Sequence, residues 1–134
     1  MAKVSVIIPV HNMYDYMDKC LDSVRRQTLE DIEIILVENA STDRSFEKCQ
    51  EYARIDPRIK SIHLDVGDLS HARNQGLLHA TAEYVAFLDS DDYVSCDLLK
   101  TLNYYLGKNN LDILVYDYVE VSEEEELLNP QERT

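Results

Sequence analysis

Short apolar runs alternate along the chain with longer segments whose apolar residues recur every three or four positions. The runs are rich in β-branched residues and too short for helices, so they predict strands. The run at 84–88 is apolar on both faces, as in a strand covered on both sides. The predicted strands are 3–10, 32–37, 59–64, 84–88 and 113–119.

The segments between these strands have the period of amphipathic helices. The predicted helices are 13–27, one that runs from the polar turn 38–43 to Asp56-Pro57, one from a Ser70 cap to about Ala80, and one from a Ser95 cap to Gly107. Regular alternation of strand and helix predicts an α/β fold, a mainly parallel sheet with helices on both faces. Ligands of such sheets bind at the carboxyl ends of the strands, where the strand order reverses.

The length of 134 residues is typical of one domain, here 1–121, followed by an acidic and polar tail at 122–134. A formal net charge of −13 repels nucleic acid and anionic membranes, so we expect neither as a partner. No apolar run is long enough to be a membrane segment, and we expect a cytoplasmic location. The three cysteines lack metal-ligand or disulfide spacing, which predicts packed, reduced thiols.

The predicted strand 84–88 ends in three carboxylates, those of Asp89, Asp91 and Asp92. Adjacent like charges are unfavourable unless a cation lies between them. Asp-x-Asp offers two hard oxygen ligands that suit Mg²⁺ or Mn²⁺ together with the oxygens of a substrate phosphate. By itself the stretch is equally compatible with a solvated acidic turn before a helix.

The sequence has no glycine-rich phosphate loop, because its three glycines are isolated from one another. A bound phosphate would therefore need a metal and a cationic side chain. Arg73 can pair with phosphate oxygens through two of its nitrogens, although an isolated arginine on an acidic protein often forms only a surface ion pair. The four histidines show no ligand spacing with one another or with cysteine, and His63, His71 and His79 are interpreted as ordinary histidines.

Four segments together resemble the inverting glycosyltransferases of family 2, which have the GT-A fold. They are SVIIPVHN at 5–12, VENASTD at 37–43, ARNQGL at 72–77 and FLDSDD at 87–92. The resemblance implies transfer of a sugar from a nucleoside diphosphate sugar, most often with UDP, to a glycan or polysaccharide acceptor. It also implies Mn²⁺ or Mg²⁺ as the cofactor, held by the Asp-x-Asp motif.

The resemblance also assigns roles. The first loop lines the nucleotide pocket, the acid of the second strand contacts the base, and the arginine lies near the nucleotide. The first aspartate of Asp-x-Asp contacts ribose or the metal-bound ligand, the second binds the metal, and Asp92 supports the loop. The implied substrate-binding residues are Pro9, Val10, His11, Asn12, Glu38, Asn39, Arg73, Asp89 and Ser90, and the implied metal ligands are Asp91 and Asp89.

Two departures from the family pattern limit these expectations. Glu38-Asn39-Ala40 stands where the family commonly has Asp-Asp-Gly, which leaves the base specificity open. The acceptor-binding half and the general base of the family lie on a later segment than this sequence contains, so no catalytic residue is assigned. We expect nucleotide and metal binding with weak or absent transfer, and self-association if the face for that half is exposed and apolar.

Two other hypotheses remain at this level. A receiver-type signalling domain is also a small acidic α/β fold that uses Mg²⁺, but it needs an acidic pair after the first strand, where this chain has His11-Asn12. A non-catalytic interaction module of the glycosyltransferase fold is the stronger alternative.

Overall fold

A computed structural model of the protein describes residues 2–66 and 68–109. Its elements in chain order are β1 (Val4–Val10), α1 (Met17–Arg25), β2 (Ile32–Asn39), α2 (Ser45–Ile55), β3 (Ile59–Leu64), α3 (Leu69–His79), β4 (Tyr84–Phe87) and α4 (Leu98–Lys108). The predicted strand 113–119 and the tail 122–134 lie outside the described residues.

The four strands form one parallel sheet in the order β3-β2-β1-β4. β1 and β2 pair along their whole shared length from Val4 beside Ile32 to Val10 beside Glu38, and β1 pairs with β4 from Val4 to Ile7. The chain proceeds outward from β1 to β3 and then returns to the other side of β1. The strand order therefore reverses between β1 and β4, and the carboxyl ends of these strands are the expected ligand edge.

Helices cover both faces of the sheet, as the alternation of elements predicted. One face carries the larger core, in which alternate residues of β1 and β2 pack with side chains of α1, α2 and α4. On the other face, Ile7, Ile35 and Val37 pack against Ala72 of α3. Every residue of β1 and β2 is buried, which explains their nearly continuous apolar sequences.

Several helix ends differ from the sequence prediction because local hydrogen bonds override apolar periodicity. The carbonyl of Met13 accepts bonds from the amides of Tyr16 and Met17, so a separate turn precedes α1. The side chain of Asp68, and not Ser70, caps α3 by accepting a bond from the His71 amide. α4 begins at Leu98 and continues one residue beyond Gly107.

The expectation that β4 is covered on both faces is wrong. Val85 and Phe87 are 37% and 43% exposed, because α3 packs over β1 and β2 and leaves this face of β4 open. Leu77 and Leu78 of α3 are exposed as well. The described part of the chain thus has the exposed apolar residues that the prediction of self-association requires, and the oligomeric state itself stays a prediction.

None of the helices between residues 2 and 109 that the structure describes is long and apolar enough to span a bilayer.

A glycine sets the distance between α3 and the sheet. A Cβ atom added to Gly76 would lie 2.5 Å from Cγ2 of Ile7, a separation that real contacts do not allow. Ile7 is completely buried in the centre of β1 and has no space to move aside. Gly76 therefore permits a close approach that any other residue would prevent.

Replacing Gly76 by alanine should lower the free energy of unfolding by about 1–3 kcal/mol, because the added methyl group overpacks the contact with Ile7. The matched control is Gly107→Ala, where an added Cβ has no neighbour within 4 Å. That substitution should raise stability by about 0.5–1 kcal/mol, because alanine loses less backbone entropy in a helix. Urea unfolding measures both, and equal effects would contradict the close-approach argument.

Candidate functional site

The acidic stretch after β4 forms a tight turn at the carboxyl edge of the sheet. The Leu88 amide donates to the Ile7 carbonyl at 3.0 Å, which continues the ladder, and the Asp92 amide then donates to the Asp89 carbonyl at 3.1 Å. Carboxylate oxygens of Asp89, Asp91 and Asp92 all lie within 4.8 Å of one another, and the three residues are exposed. Ser90, which separates Asp89 from Asp91 in the same turn, is buried, with 5% of its surface exposed.

Three hard oxygen ligands at this spacing fit a divalent cation such as Mg²⁺ or Mn²⁺, which keeps several waters and needs only a few protein carboxylates. The sequence predicted Asp89 and Asp91 as ligands and gave Asp92 only a supporting role. The turn brings Asp92 into the same cluster, which the run of acids in the sequence could have indicated.

The electrostatics of the turn reflect the concentrated negative charge. Partial burial, together with the charges of Asp91 and Asp89, raises the pKa of Asp92. Burial and the same three carboxylates raise the pKa of the Cys20 thiol, whose Sγ lies 3.5 Å from the Asp89 carbonyl oxygen. The thiol is therefore an uncharged packing group under the turn, as predicted for Cys20.

Arg73 provides the cation at this edge. Its Nη2 donates to Oδ1 of Asp89 at 3.3 Å, and both side chains are partly exposed. The Nε atom of Arg73 is buried and has no hydrogen-bond partner among the described residues. The buried Nε is out of reach of a ligand, whereas the terminal nitrogens of the partly exposed guanidinium can donate to one. The exposed ion pair itself contributes little stability.

Asn12 joins the loop after β1 to the turn after β2. Its Oδ1 accepts hydrogen bonds from the amides of Thr42 and Asp43 at 2.7 and 3.3 Å, and its own amide donates to Oγ of Ser41 at 3.0 Å. The backbone of Asn12 has a φ of 52°, which asparagine tolerates well. The two loops thus form one unit at the ligand edge.

The other predicted residues of the first loop differ in exposure. Pro9 and Val10 are buried within β1, whereas His11 is exposed and its Nδ1 lies 2.6 Å from the Asn39 carbonyl oxygen. Asn39 is itself buried, with 7% of its surface exposed. Of the predicted pocket residues in this loop, His11 and Asn12 are the ones whose side chains reach solvent.

Glu38 lies at the end of β2 and is completely buried. Its Oε2 accepts a hydrogen bond from the Ser41 amide at 2.7 Å, and its Oε1 lies 2.5 Å from Nδ1 of His63 on β3. In this arrangement the carboxylate is enclosed by the protein and supports the turn after β2. The sequence alone indicates no role for His63, because only the pairing of β2 with β3 places His63 opposite Glu38.

Ala40, where the related family commonly has glycine, has a φ of 46°. This left-handed conformation strains a residue with a Cβ by about 1–2 kcal/mol.

Substituting Ala40 by glycine should therefore stabilise the protein by about 0.5–1 kcal/mol, after the greater flexibility of glycine in the unfolded chain is taken into account. Chemical denaturation measures the change. Ala53→Gly in α2 is the matched control and should be destabilising by about 1 kcal/mol, because Ala53 has helical backbone angles. Destabilisation by both substitutions would contradict a strained Ala40.

Asp92→Asn should raise the free energy of unfolding in metal-free buffer at neutral pH by about 0.5 kcal/mol, because it removes one of three repelling exposed charges. Since the folded-state pKa of Asp92 is raised, the repulsion exists when the carboxylate is ionised and disappears as the pH falls and protonates it. The gain should shrink in about 1 M salt. Glu51→Gln, an exposed acid on α2, is the control, and an equal gain there would attribute the effect to net charge alone.

Comparison with known proteins agrees with this geometry. The sequence profile described as glycosyl transferase family 2 matches residues 5–134. The glycosyltransferase EpsJ of Bacillus subtilis is 46% identical over 111 residues, a match that covers 83% of this chain and 32% of EpsJ. The glycosyltransferase GlyA of Streptococcus pneumoniae is 42% identical over 123 residues, which cover 92% of this chain and 18% of GlyA. This chain thus spans a third or less of the length of these relatives.

Solved structures show the same fold. TarS of S. aureus in complex with UDP superposes with a TM-score of 0.83 at 28% identity, over 90% of this chain and 37% of that one. The mannosyltransferase PcManGT of Pyrobaculum calidifontis, in complex with GDP-Man and Mn²⁺, superposes with a TM-score of 0.72 at 27% identity, over 78% of this chain and 32% of that one. The parallel sheet with its helices is a GT-A fold, and the receiver hypothesis is not supported. The chain belongs to glycosyl transferase family 2.

Proposed function

We propose that this chain is the donor-binding part of a metal-assisted glycosyltransferase that uses a UDP-sugar and transfers the sugar to a glycan or polysaccharide acceptor. The observation that carries the proposal is the convergence of three carboxylates and Arg73 at the strand-order reversal between β1 and β4. A nucleoside diphosphate needs this combination, because its phosphates require cationic partners on a protein with a net charge of −13.

Each part of the site has a proposed role. Asp89 and Asp91, joined by Asp92, hold Mn²⁺ or Mg²⁺, and the metal when bound stabilises the charge that develops on the departing diphosphate. Arg73 directs its free guanidinium donors at phosphate oxygens. The loop of Pro9, Val10, His11 and Asn12 lines the nucleotide, and Ser90 supports the acidic turn.

The turn after β2 forms the base side of the proposed pocket. Asn12 fixes the position of this turn through its bonds to Thr42 and Asp43. Glu38 is enclosed by the protein and accepts a hydrogen bond from the turn. We therefore propose that Glu38, together with Asn39, affects base binding indirectly, by fixing the conformation of the turn that faces the base. UDP is the proposed nucleotide because TarS, the structural neighbour with the TM-score of 0.83, binds UDP and also UDP-GlcNAc.

The acceptor is proposed from the relatives. A poly(ribitol-phosphate) beta-glucosyltransferase of Bacillus spizizenii is 36% identical over 115 residues, which cover 83% of this chain. A polymer, such as a polysaccharide, is therefore the proposed acceptor class, and a cytoplasmic location stays a prediction. The acceptor-binding residues and the general base are not assigned to any residue of this chain.

Isothermal titration of UDP into the protein, with and without Mn²⁺, tests the proposal. Binding should require the metal and should be lost in Asp91→Ala, because that carboxylate is one of three that face the proposed ion. Arg73→Lys should weaken binding by about tenfold, since lysine cannot make the paired contacts of a guanidinium. Glu51→Ala removes an equal charge from α2 and should bind like the unaltered protein.

Titration of GDP in parallel tests the base preference. Tighter binding of UDP than of GDP is the expected result, and equal affinities would contradict the proposed uracil specificity. Absence of binding to both nucleotides and to their sugars would contradict the donor site and would favour the alternative, an interaction module with the same fold.

A further inference from the structure

We infer that His63, in its doubly protonated form, is a positioning residue for nucleotide binding: it holds Glu38 and through it the turn 39–42, so that nucleotide affinity depends on the charge of His63. The inference rests on the proposed function, because the turn 39–42 forms the base side of the proposed pocket. His63 itself lies behind this turn, on β3, and does not contact the nucleotide.

Each nitrogen of the His63 ring faces a carboxylate oxygen. Nδ1 faces Oε1 of Glu38 at 2.5 Å, and Nε2 faces Oδ1 of Asp65 at 2.8 Å. A neutral imidazole has one N–H donor, whereas both of these partners are acceptors. The geometry therefore favours the imidazolium form, which donates from both nitrogens.

Both charged groups that face the His63 ring are carboxylates. β2 contributes Glu38, the end of β3 contributes Asp65, and α2 contributes the uncharged ring of Phe46, whose centroid lies 4.6 Å from that of His63. Hydrogen bonds to Glu38 and then to Asp65 raise the pKa of His63 above its ordinary value. The ring therefore carries its charge further into the neutral pH range than an ordinary histidine.

Glu38 connects His63 to the turn. Glu38 is completely buried, and its other oxygen, Oε2, accepts the hydrogen bond of the Ser41 amide. The Ala40 amide donates to the Leu64 carbonyl at 2.8 Å, which attaches the turn to the end of β3 next to the contact between Glu38 and His63. Ser41 in turn accepts the hydrogen bond of the Asn12 amide. A contiguous series of contacts thus joins His63 to the loop that lines the proposed nucleotide pocket.

Loss of the second ring proton makes His63 neutral. Neutral His63 can still donate to Glu38 through Nδ1, but the buried carboxylate then has no countercharge, and a buried charge without a partner is strongly unfavourable. Ala40, which lies within the same turn, has a strained left-handed backbone. The turn can release this strain by changing its conformation once the contact with Glu38 weakens. The stabilisation of the turn by the His63–Glu38 ion pair is complete below the ordinary pKa of histidine. It is lost as the pH rises through the raised pKa of His63.

The test is the affinity of the 134-residue protein for UDP in the presence of Mg²⁺, measured by calorimetry from about pH 6.5 to about pH 9.5. The affinity of the unaltered protein should fall by about fivefold over this range. His63→Gln keeps an uncharged amide donor for Glu38, and its affinity should be weaker at low pH and independent of pH.

Two further variants separate positioning from a general effect of charge. His79→Gln replaces an exposed histidine whose Nδ1 lies 2.9 Å from the Gln75 carbonyl oxygen on α3, and it should retain the full pH dependence. Asp65→Asn removes one of the two carboxylates that face the ring and should move the midpoint to lower pH. A purely structural role for His63 would change the melting temperature of His63→Gln and Asp65→Asn without changing the pH profile of their UDP affinity.

The outcomes are distinguishable. If the unaltered protein and His63→Gln bind UDP with the same pH profile, the inference is overturned and the proposed function stands. If no variant binds UDP at any pH, the proposed function is overturned and the inference with it.

If His63→Gln fails to fold, an NMR titration of the unaltered protein decides the question. The Ser41 amide and the His63 ring should then shift with one common midpoint, and independent midpoints would overturn the inference.

Discussion

The contact between Gly76 and Ile7 determines how the ligand edge of this protein is built. Because Gly76 has no side chain, α3 packs closely against the side chain of Ile7 on β1, one of the two central strands of the sheet. Arg73 precedes Gly76 by three residues and therefore lies on nearly the same side of α3, one turn closer to the carboxyl edge. The close packing thus determines where the only arginine of α3 can reach, and it places the guanidinium beside Asp89.

A second level of organisation joins the loops of the edge to one another. The loop after β1 and the turn after β2 lie outside the regular elements, and their polar groups pair with one another. The Asn12 amide donates to Ser41, and the Asn12 side chain accepts from the Thr42 amide. Beneath them the enclosed Glu38 accepts a bond from the turn and faces His63. Polar groups that would be costly if buried alone are therefore paired in a network that stiffens the edge.

The parts of the fold that depend on apolar patterning, such as the strands β1 and β2, were predictable because burial determines which residues are tolerated there. The predicted start of α1 and the predicted cap of α3 were wrong because local hydrogen bonds to the Met13 carbonyl and the Asp68 side chain decide them. In the site, Arg73 and the aspartates after β4 could be proposed as ligand-binding residues from the sequence, because four family motifs occur in it in a fixed order. The pairing of Glu38 with His63 depends on strand register, which joins residues separated by 25 positions and leaves no local trace.

A bound metal ion would compete with Arg73 for the carboxylate of Asp89. In the described structure Asp89 accepts a bond from Arg73, and its other neighbours in the turn are the carboxylates of Asp91 and Asp92. A divalent ion among the three acids would offset their mutual repulsion far better than one exposed arginine does. A double charge in direct contact with the carboxylates interacts more strongly than an ion pair that is screened by solvent. The Arg73 guanidinium would then be released from Asp89 and available to the phosphates. Metal and nucleotide should therefore bind cooperatively, because each removes the electrostatic cost that the other would meet alone.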